Sequence, residues 1–243
     1  MKSTAVRDGD HYVLNGKKTF ATNSGAADTY VIFVSTDLEA GGRGVTAFIV
    51  PRETPGLSFG EPIQKMGVRT SVQREVYIED VRVPAAQRLG EEGQGLRIAL
   101  AALDVGRIEI AAQGVGISQA SYDFALNHAK QRKQFGTAIG QNQAVSFMLA
   151  DMHVATDAAR YLTYKAACNY DEGKPFAKEA AMAKLLATDT AMRVSTDAVQ
   201  LLGGFGVTKA SPVERFMRDA KVTQIYEGTN QVQRMVIAGH IMK

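Results

Sequence analysis

The sequence has little cysteine and no tryptophan: one Cys in 243 residues, with six prolines and four histidines. The lone Cys168 excludes an intrachain disulfide and a thiolate metal cluster. Such scarcity suits a reducing compartment. His11, His128, His153 and His240 are scattered without ligand spacing, so no metal is expected. No apolar run is long enough to cross a bilayer. Met1-Lys2-Ser3-Thr4 carries neither an apolar signal core nor an Arg-rich leader. A cytoplasmic protein is expected, or a mitochondrial matrix one if eukaryotic and processed. Charge of one sign is also missing. Lys and Arg number 28, Asp and Glu 25, and they are interspersed to a net +3, which excludes a nucleic-acid footprint. No serine sits in a nucleophile elbow. Gly204-Phe205-Gly206 begins a G-x-G, but Lys209 stands where a third glycine belongs and no strand precedes it, so it is not a dinucleotide fingerprint.

What is present is a hydrophobic fraction of 45%, enough for a sizeable core, and a change of grammar near residue 90. Residues 1–90 read as β-structure. Asn15-Gly16 predicts a hairpin between His11–Leu14 and Lys17–Thr22. Tyr30–Ser35, Val45–Val50 and Arg74–Val83 read as strands, with Gly41-Gly42-Arg43-Gly44 as a turn and Pro84 as a stop. With no helices between them, these strands predict an antiparallel sheet or barrel. Residues 91–243 read as helices: one from Leu96 to about Lys133, one carrying Val145, Met148, Leu149 and Met152 on one face, one from Ala177 to Leu202. Gly173 and Pro175 end the second, and Gly203-Gly204 end the third. Shorter helices follow from Pro212 to Ala220 and from Asn230 to Ile241. Broad apolar stripes on the long helices predict an antiparallel bundle. Gly114-x-Gly116, inside the first helix, is read as permitting close helix packing. The expected fold is α+β, a partial antiparallel β domain followed by a C-terminal four-helix bundle.

One constellation carries chemistry. Arg218-Asp219-Ala220-Lys221 leads into Gln224-Ile225-Tyr226-Glu227-Gly228-Thr229-Asn230-Gln231. A carboxylate stands beside a glycine just before a helix, with Thr229 or Asn230 as N-cap. By composition alone, Glu227 complements the helix dipole.

The wording of that segment reverses the balance. It resembles the signature of the acyl-CoA dehydrogenase family, in which the glutamate of Tyr-Glu-Gly-Thr is the catalytic base. The resemblance runs from about Val6 to the end of the chain. Lys18-Thr19-Phe20-Ala21-Thr22-Asn23 is similar to the family's flavin-contacting β segment. Leu103-Asp104-Val105-Gly106-Arg107-Ile108 resembles the stretch that touches acyl-CoA. Arg132-Lys133-Gln134-Phe135-Gly136 with Gln141-Asn142-Gln143-Ala144 resembles the elements that grip FAD across a subunit boundary. Gln200-Leu201-Leu202-Gly203-Gly204 resembles the loop that meets a neighbour's FAD. There are two departures. Phe20 stands where the family usually has tryptophan, which keeps an aromatic face but loses an N–H donor. The family's N-terminal helical domain and first β motif find no counterpart in this sequence, which implies poor turnover by this chain alone.

The resemblance implies FAD-dependent α,β-desaturation of an acyl-CoA thioester, with electron-transferring flavoprotein as acceptor and a dimer or tetramer as the assembly. Glu227 would take the α-proton, its basicity raised by desolvation, while its backbone N–H polarises the carbonyl. Gly228 leaves room for the thioester. Arg132 would fork onto the FAD pyrophosphate, against a plain reading as a solvated helix-end arginine. Thr229, Asn230 and Gln231 fall on the flavin side. Gln143 and Gln200 fall on the adenosine side, with buried helix glutamines as the alternative. Asp104 and Arg107 would contact acyl-CoA, although their three-residue spacing also lets them pair. Relatives of the isovaleryl type carry the base just before the arginine matching Arg107. Here Gly106 cannot act, and Glu109 is expected on another helix face. The wording around Gln231–Ala238 favours short or short branched acyl chains. A flavin oxidase or monooxygenase, or a fragment without chemistry, remain as alternatives.

Overall fold

A computed structural model describes residues 2–242. The chain forms two compact units. One comprises Met1–Lys65 with Arg69–Ala102, and the other Met66–Val68 with Leu103–Lys243.

The first unit is a seven-stranded sheet. Its strands are β1 (Thr4–Asp8), β2 (His11–Thr22), β3 (Thr29–Ser35), β4 (Val45–Pro51), β5 (Leu57–Phe59), β6 (Gln73–Pro84) and β7 (Arg88–Leu89), in the order β5-β6-β2-β1-β3-β4-β7. The sheet is mixed rather than purely antiparallel, because β1 meets β3 in parallel at Thr4 and Ser35. Tyr12, Leu14, Phe48, Val50, Ile78 and Val81 are among the fully buried residues of its core. Period-2 alternation places them on one face, with the irregularity at Glu79-Asp80 bringing Ile78 and Val81 to the same side.

The hairpin expected at Asn15-Gly16 is not there. The turn lies at Gly9-Asp10, where Asp8 pairs with His11, and β2 runs on through Asn15-Gly16 opposite a bulge at Glu79-Asp80 of β6. Tertiary contacts hold Asn15-Gly16 in the strand rather than in a turn. Asn15 Nδ2 donates to Asp80 Oδ1 at 2.9 Å, and Asp80 N–H donates to Asn15 Oδ1 at 2.9 Å. A Cβ at Gly16 would lie 2.5 Å from Ser3 Oγ, so glycine serves a close strand approach. A second irregularity between Lys18 and Ala21 leaves Phe20 at φ 56° and two-thirds exposed.

The second unit is helical: α1 (Gly95–Gln131, from Leu103 on), α2 (Gln143–Asp171), α3 (Ala177–Leu202), α4 (Val213–Thr223) and α5 (Asn230–Ile241). Short strands β8 (Lys133–Gln134) and β9 (Thr137–Ala138) form a hairpin between α1 and α2. Alanines dominate the buried faces: Ala111, Ala159, Ala166, Ala183 and Ala187 in one cluster, Ala125, Ala129 and Ala198 in another with Leu149, Met152 and Val213. Small residues let the helix backbones approach. Gly114 is the extreme case, since a Cβ there would sit 2.9 Å from the Ala187 carbonyl. Gly116 meets nothing within 4 Å, so only the first glycine of the pair serves packing. Residues 66–68 join this unit. Val68 N–H donates to Asp219 Oδ1 at 2.6 Å, and Arg218 Nη1 donates to the Met66 carbonyl at 2.6 Å.

Candidate active site

The Glu227 turn lies between α4 and α5. Helix α4 ends with Ile225 and Tyr226 N–H both donating to the Val222 carbonyl. Glu227 then takes φ 54° and Gly228 φ 86°, and α5 begins with Thr229 as N-cap, its Oγ1 accepting from Val232 N–H at 3.3 Å. A glutamate in the left-handed region costs energy and persists only where its surroundings hold it. Those surroundings are polar. Gln233, fully buried, donates Nε2 to the carbonyls of Glu227 (3.1 Å) and Gly228 (2.9 Å). Lys184 of α3, also fully buried, donates Nζ to the Gly228 carbonyl and to Asn230 Oδ1, each at 2.9 Å. Asn230 Nδ2 donates to Thr188 Oγ1 and Asp189 Oδ1, and its N–H to the Gln224 carbonyl. Tyr226 OH donates to Gln113 Oε1 of α1.

The half-buried Glu227 carboxylate faces α1 at Gly106, where a Cβ would come within 2.9 Å of Oε2. Burial pushes the Glu227 carboxyl above the ordinary glutamate range, and the nearby charge of Glu109 pushes the same way. Arg107 and Lys184 pull it back. Glu109, two residues past Arg107, is exposed where Arg107 is buried, and its charge is felt at Glu227. Arg107 is buried and donates Nη1 to Asp104, so the pair predicted by spacing forms. Its Nε has no partner among the described residues.

The remaining candidates lie elsewhere. Arg132 follows α1 directly and is exposed. The hairpin after it turns through Phe135 (φ 55°) and Gly136 (φ 86°), a two-residue turn with both φ values positive. Phenylalanine is a strained choice there, and its ring is 98% exposed. Gln134 and Gln143 are exposed, as is Gln200 near the end of α3, so the buried-glutamine alternative does not hold for Gln143 or Gln200. Leu201 is half-buried, while Leu202 belongs to the bundle core. Gly203 (φ 58°) and Gly204 are exposed with open space around them. His128 stacks on Phe205, so the end of α1 and the loop after α3 share one end of the bundle. A groove of about 560 Å³ beside them is lined by Tyr122, Lys130, Gln141, Ser146 and His153 among others. From Gly106 to Arg132 along α1 is about 39 Å at the helical rise. In the first unit, Phe20, Ala21 and Thr22 end β2, with a hollow of about 180 Å³ beside Ala21. In the second unit, Glu227, Gly228, Thr229, Asn230, Asp104 and Arg107 come together, and the other candidates gather at the far end. Gln231 is exposed on α5.

Residues 93–242 match the family model described as acyl-CoA dehydrogenase, C-terminal domain, and residues 1–81 match acyl-CoA dehydrogenase, middle domain. The chain belongs to the acyl-CoA dehydrogenase family. It is 52% identical over 236 residues to a short-chain specific acyl-CoA dehydrogenase of Megasphaera elsdenii, covering 97% of this chain and 62% of that protein. Butyryl-CoA dehydrogenase from the same organism superposes with TM-score 0.98 at 51% identity, over 100% of this chain and 63% of that one. A structure described as electron transferring flavoprotein of Acidaminococcus fermentans matches at TM-score 0.98 and 50% identity, over 100% of this chain and 64% of that one. The chain thus spans less than two thirds of the relatives it matches. No helix among the described residues is long and apolar enough to cross a membrane.

Lys184, Gln233 and Asp189 were not singled out by motif reading. A signal existed for Lys184: it falls on the stripe of Ala180, Ala187, Ala191 and Val194, where an apolar residue belongs.

Proposed function

We propose that this chain carries the base and much of the cofactor site of an FAD-dependent dehydrogenase acting on short-chain or short branched acyl-CoA thioesters. The observation that carries the reading is the Glu227 turn: a half-buried carboxylate of raised pKa, on a strained backbone held from beneath. A carboxylate of raised basicity removes an α-proton better than a solvated one. Among the described residues, the amides of Glu227, Gly228 and Thr229 donate to no protein acceptor, and the Glu227 N–H is thereby free to polarise the thioester carbonyl. Gly106 leaves room for the Glu227 carboxylate against α1, and Arg107 paired with Asp104 lies beside it.

The residues suit FAD. Phe20 and Phe135 offer exposed aromatic faces, Arg132 offers a free guanidinium for a pyrophosphate, and Gln143 and Gln200 offer exposed amides. Thr229 keeps its hydroxyl proton for a flavin acceptor, with Gln231 beside it, while Gly203 and Gly204 leave room for close backbone approach. FAD, when bound, supplies the acceptor for the β-hydride. Asn230 and Leu202 serve differently, as a buried hydrogen-bond hub and as core.

The separation of about 39 Å between the Glu227 and Arg132 ends exceeds what one dinucleotide bridges, which supports a homo-oligomer with each end serving a different flavin. The exposed Phe147, Val154 and Tyr161, seven apart on α2, support the same reading. Electron-transferring flavoprotein is the proposed acceptor. A cytoplasmic or matrix location suits the single free thiol.

The test is dye-linked dehydrogenation of butyryl-CoA with added FAD, by the 243-residue chain and by a version extended with the N-terminal part of a relative. Turnover is expected in the extended form and little in the chain alone. Glu227→Gln should abolish turnover yet retain flavin; retained activity in that variant would remove the base from Glu227. A carboxylate base favours dehydrogenation over oxidase or monooxygenase chemistry, and oxygen consumption in the same assay separates them.

A further inference from the structure

Glutamine and asparagine suffice to satisfy a turn, so an ammonium buried beneath one invites explanation. Lys184 Nζ is fully inside the protein, on a helix face otherwise made of alanine, serine, threonine, valine and leucine. Burying a charge is expensive, and replacing such a group by an apolar side chain of similar volume is often neutral or stabilising. Where a sequence breaks the core pattern in this way, function is the usual reason.

We infer that Lys184 is a positioning residue for the base: by seating its ammonium on the Gly228 carbonyl and Asn230 Oδ1, it fixes the turn that carries Glu227. The inference rests on Glu227 being the base. The geometry is specific. The Gly228 carbonyl accepts from both Lys184 Nζ and Gln233 Nε2, at 2.9 Å each. That double grip turns the carbonyl inward, and planarity of the peptide turns the Thr229 N–H the other way. Gln233 does the same for the Glu227 carbonyl and the Gly228 N–H. Only glycine at 228 allows this closure, since a Cβ would meet Gln233 Nε2 at 2.8 Å. Asn230, held by Thr188 and Asp189, anchors the other acceptor of Lys184 to the start of α5. Lys184 thus ties α3 to the turn and to α5 through one atom.

Charge acts in the same direction. Burial lowers the Lys184 pKa to about 8, while Asp189 and Glu227 raise it and Arg107 lowers it. The ammonium and Arg107 in turn oppose burial and Glu109 at Glu227.

The test compares Lys184→Met, which removes donor and charge, with Lys184→Gln, which keeps a donor. In the active, extended protein, Lys184→Met is expected to lower kcat about 100-fold, as misplacement of a catalytic group does. Lys184→Gln should recover most of that loss, and equal losses in the two variants would overturn the positioning role. The second readout does not need activity. Carbon-13 carboxyl titration of the 243-residue chain, with Glu227 assigned by its absence in Glu227→Gln, should show the Glu227 midpoint moving up by about one unit in Lys184→Met. An unmoved midpoint would overturn the inference. Inactivity of the wild-type extended protein would count against the proposed function while leaving this titration decisive. Should the Lys184 variants not fold, the wild-type lysine ε-carbon resonance takes over. Lys184 must show an inflection at the Glu227 midpoint, and its absence overturns the inference.

Discussion

Glu227 combines two unfavourable choices, a left-handed backbone and a carboxylate withdrawn from water. Linkage gives the second a measurable sign. Folded Glu227 titrates above its ordinary value of 4.5, so between the two values the native state keeps a proton that the unfolded chain has released. Stability from this group is fully present below the unfolded value and declines as pH rises through the folded one. Glu227→Gln removes that decline. Near pH 8 the variant should be more stable than wild type. Near pH 4 the two should coincide. Thermal unfolding at both pH values checks this, and a variant less stable than wild type near pH 8 would contradict the burial argument. Phe20 and Phe135 are the same kind of residue, with positive φ and their rings in solvent. Strained residues that satisfy nothing inside the chain are best explained by something outside it.

At the scale of elements, the bundle works through small residues. Gly114 on α1 faces the Ala187 backbone of α3, and a side chain there would have to push the helices apart. Gly114→Val is expected to destabilise the helical unit by about 1–3 kcal/mol, the range for overpacking. Gly116→Ala, two residues away with nothing within 4 Å, should be neutral or stabilising by up to about 1 kcal/mol from helix propensity. Denaturant unfolding of both distinguishes packing from propensity, and equal effects would dismiss the packing role. Element boundaries on the helical side were legible. The segment Ala177–Leu202 was read with its observed limits, because a glycine pair ends it and a proline precedes it. The β side was less so. Asn15-Gly16 has the chemistry of a hairpin turn, yet Asp80 and Ser3 hold it inside a strand. A local motif cannot report which distant strand will claim its side chains.

For the whole molecule, the separation of the Glu227 and Arg132 ends along α1 and the exposed apolar stripe on α2 lead to one expectation. Light scattering at micromolar concentration should give a dimer or a dimer of dimers. A clean monomer would remove the argument that the two ends serve different flavins. Phe147→Glu together with Tyr161→Glu should shift the assembly toward monomer by placing charge on the stripe.

The sequence alone determined the order of strands before helices, the five helix positions and the identity of Glu227 as the residue to question. Periodicity, glycine and proline punctuation and the Tyr226–Gln231 wording are local signals, and local signals survive without coordinates. Tertiary structure decided the rest. Lys184 reads as an ordinary helix lysine until α5 and the turn close over it. Glu109 belongs to no motif, and its charge bears on Glu227 only in the folded chain. Arg107 and Asp104 had two partners open to them, and the fold pairs them with each other. The raised pKa of Glu227 belongs to no motif, because desolvation and the surrounding charges of Glu109, Arg107 and Lys184 exist only once residues 120 positions apart are brought together.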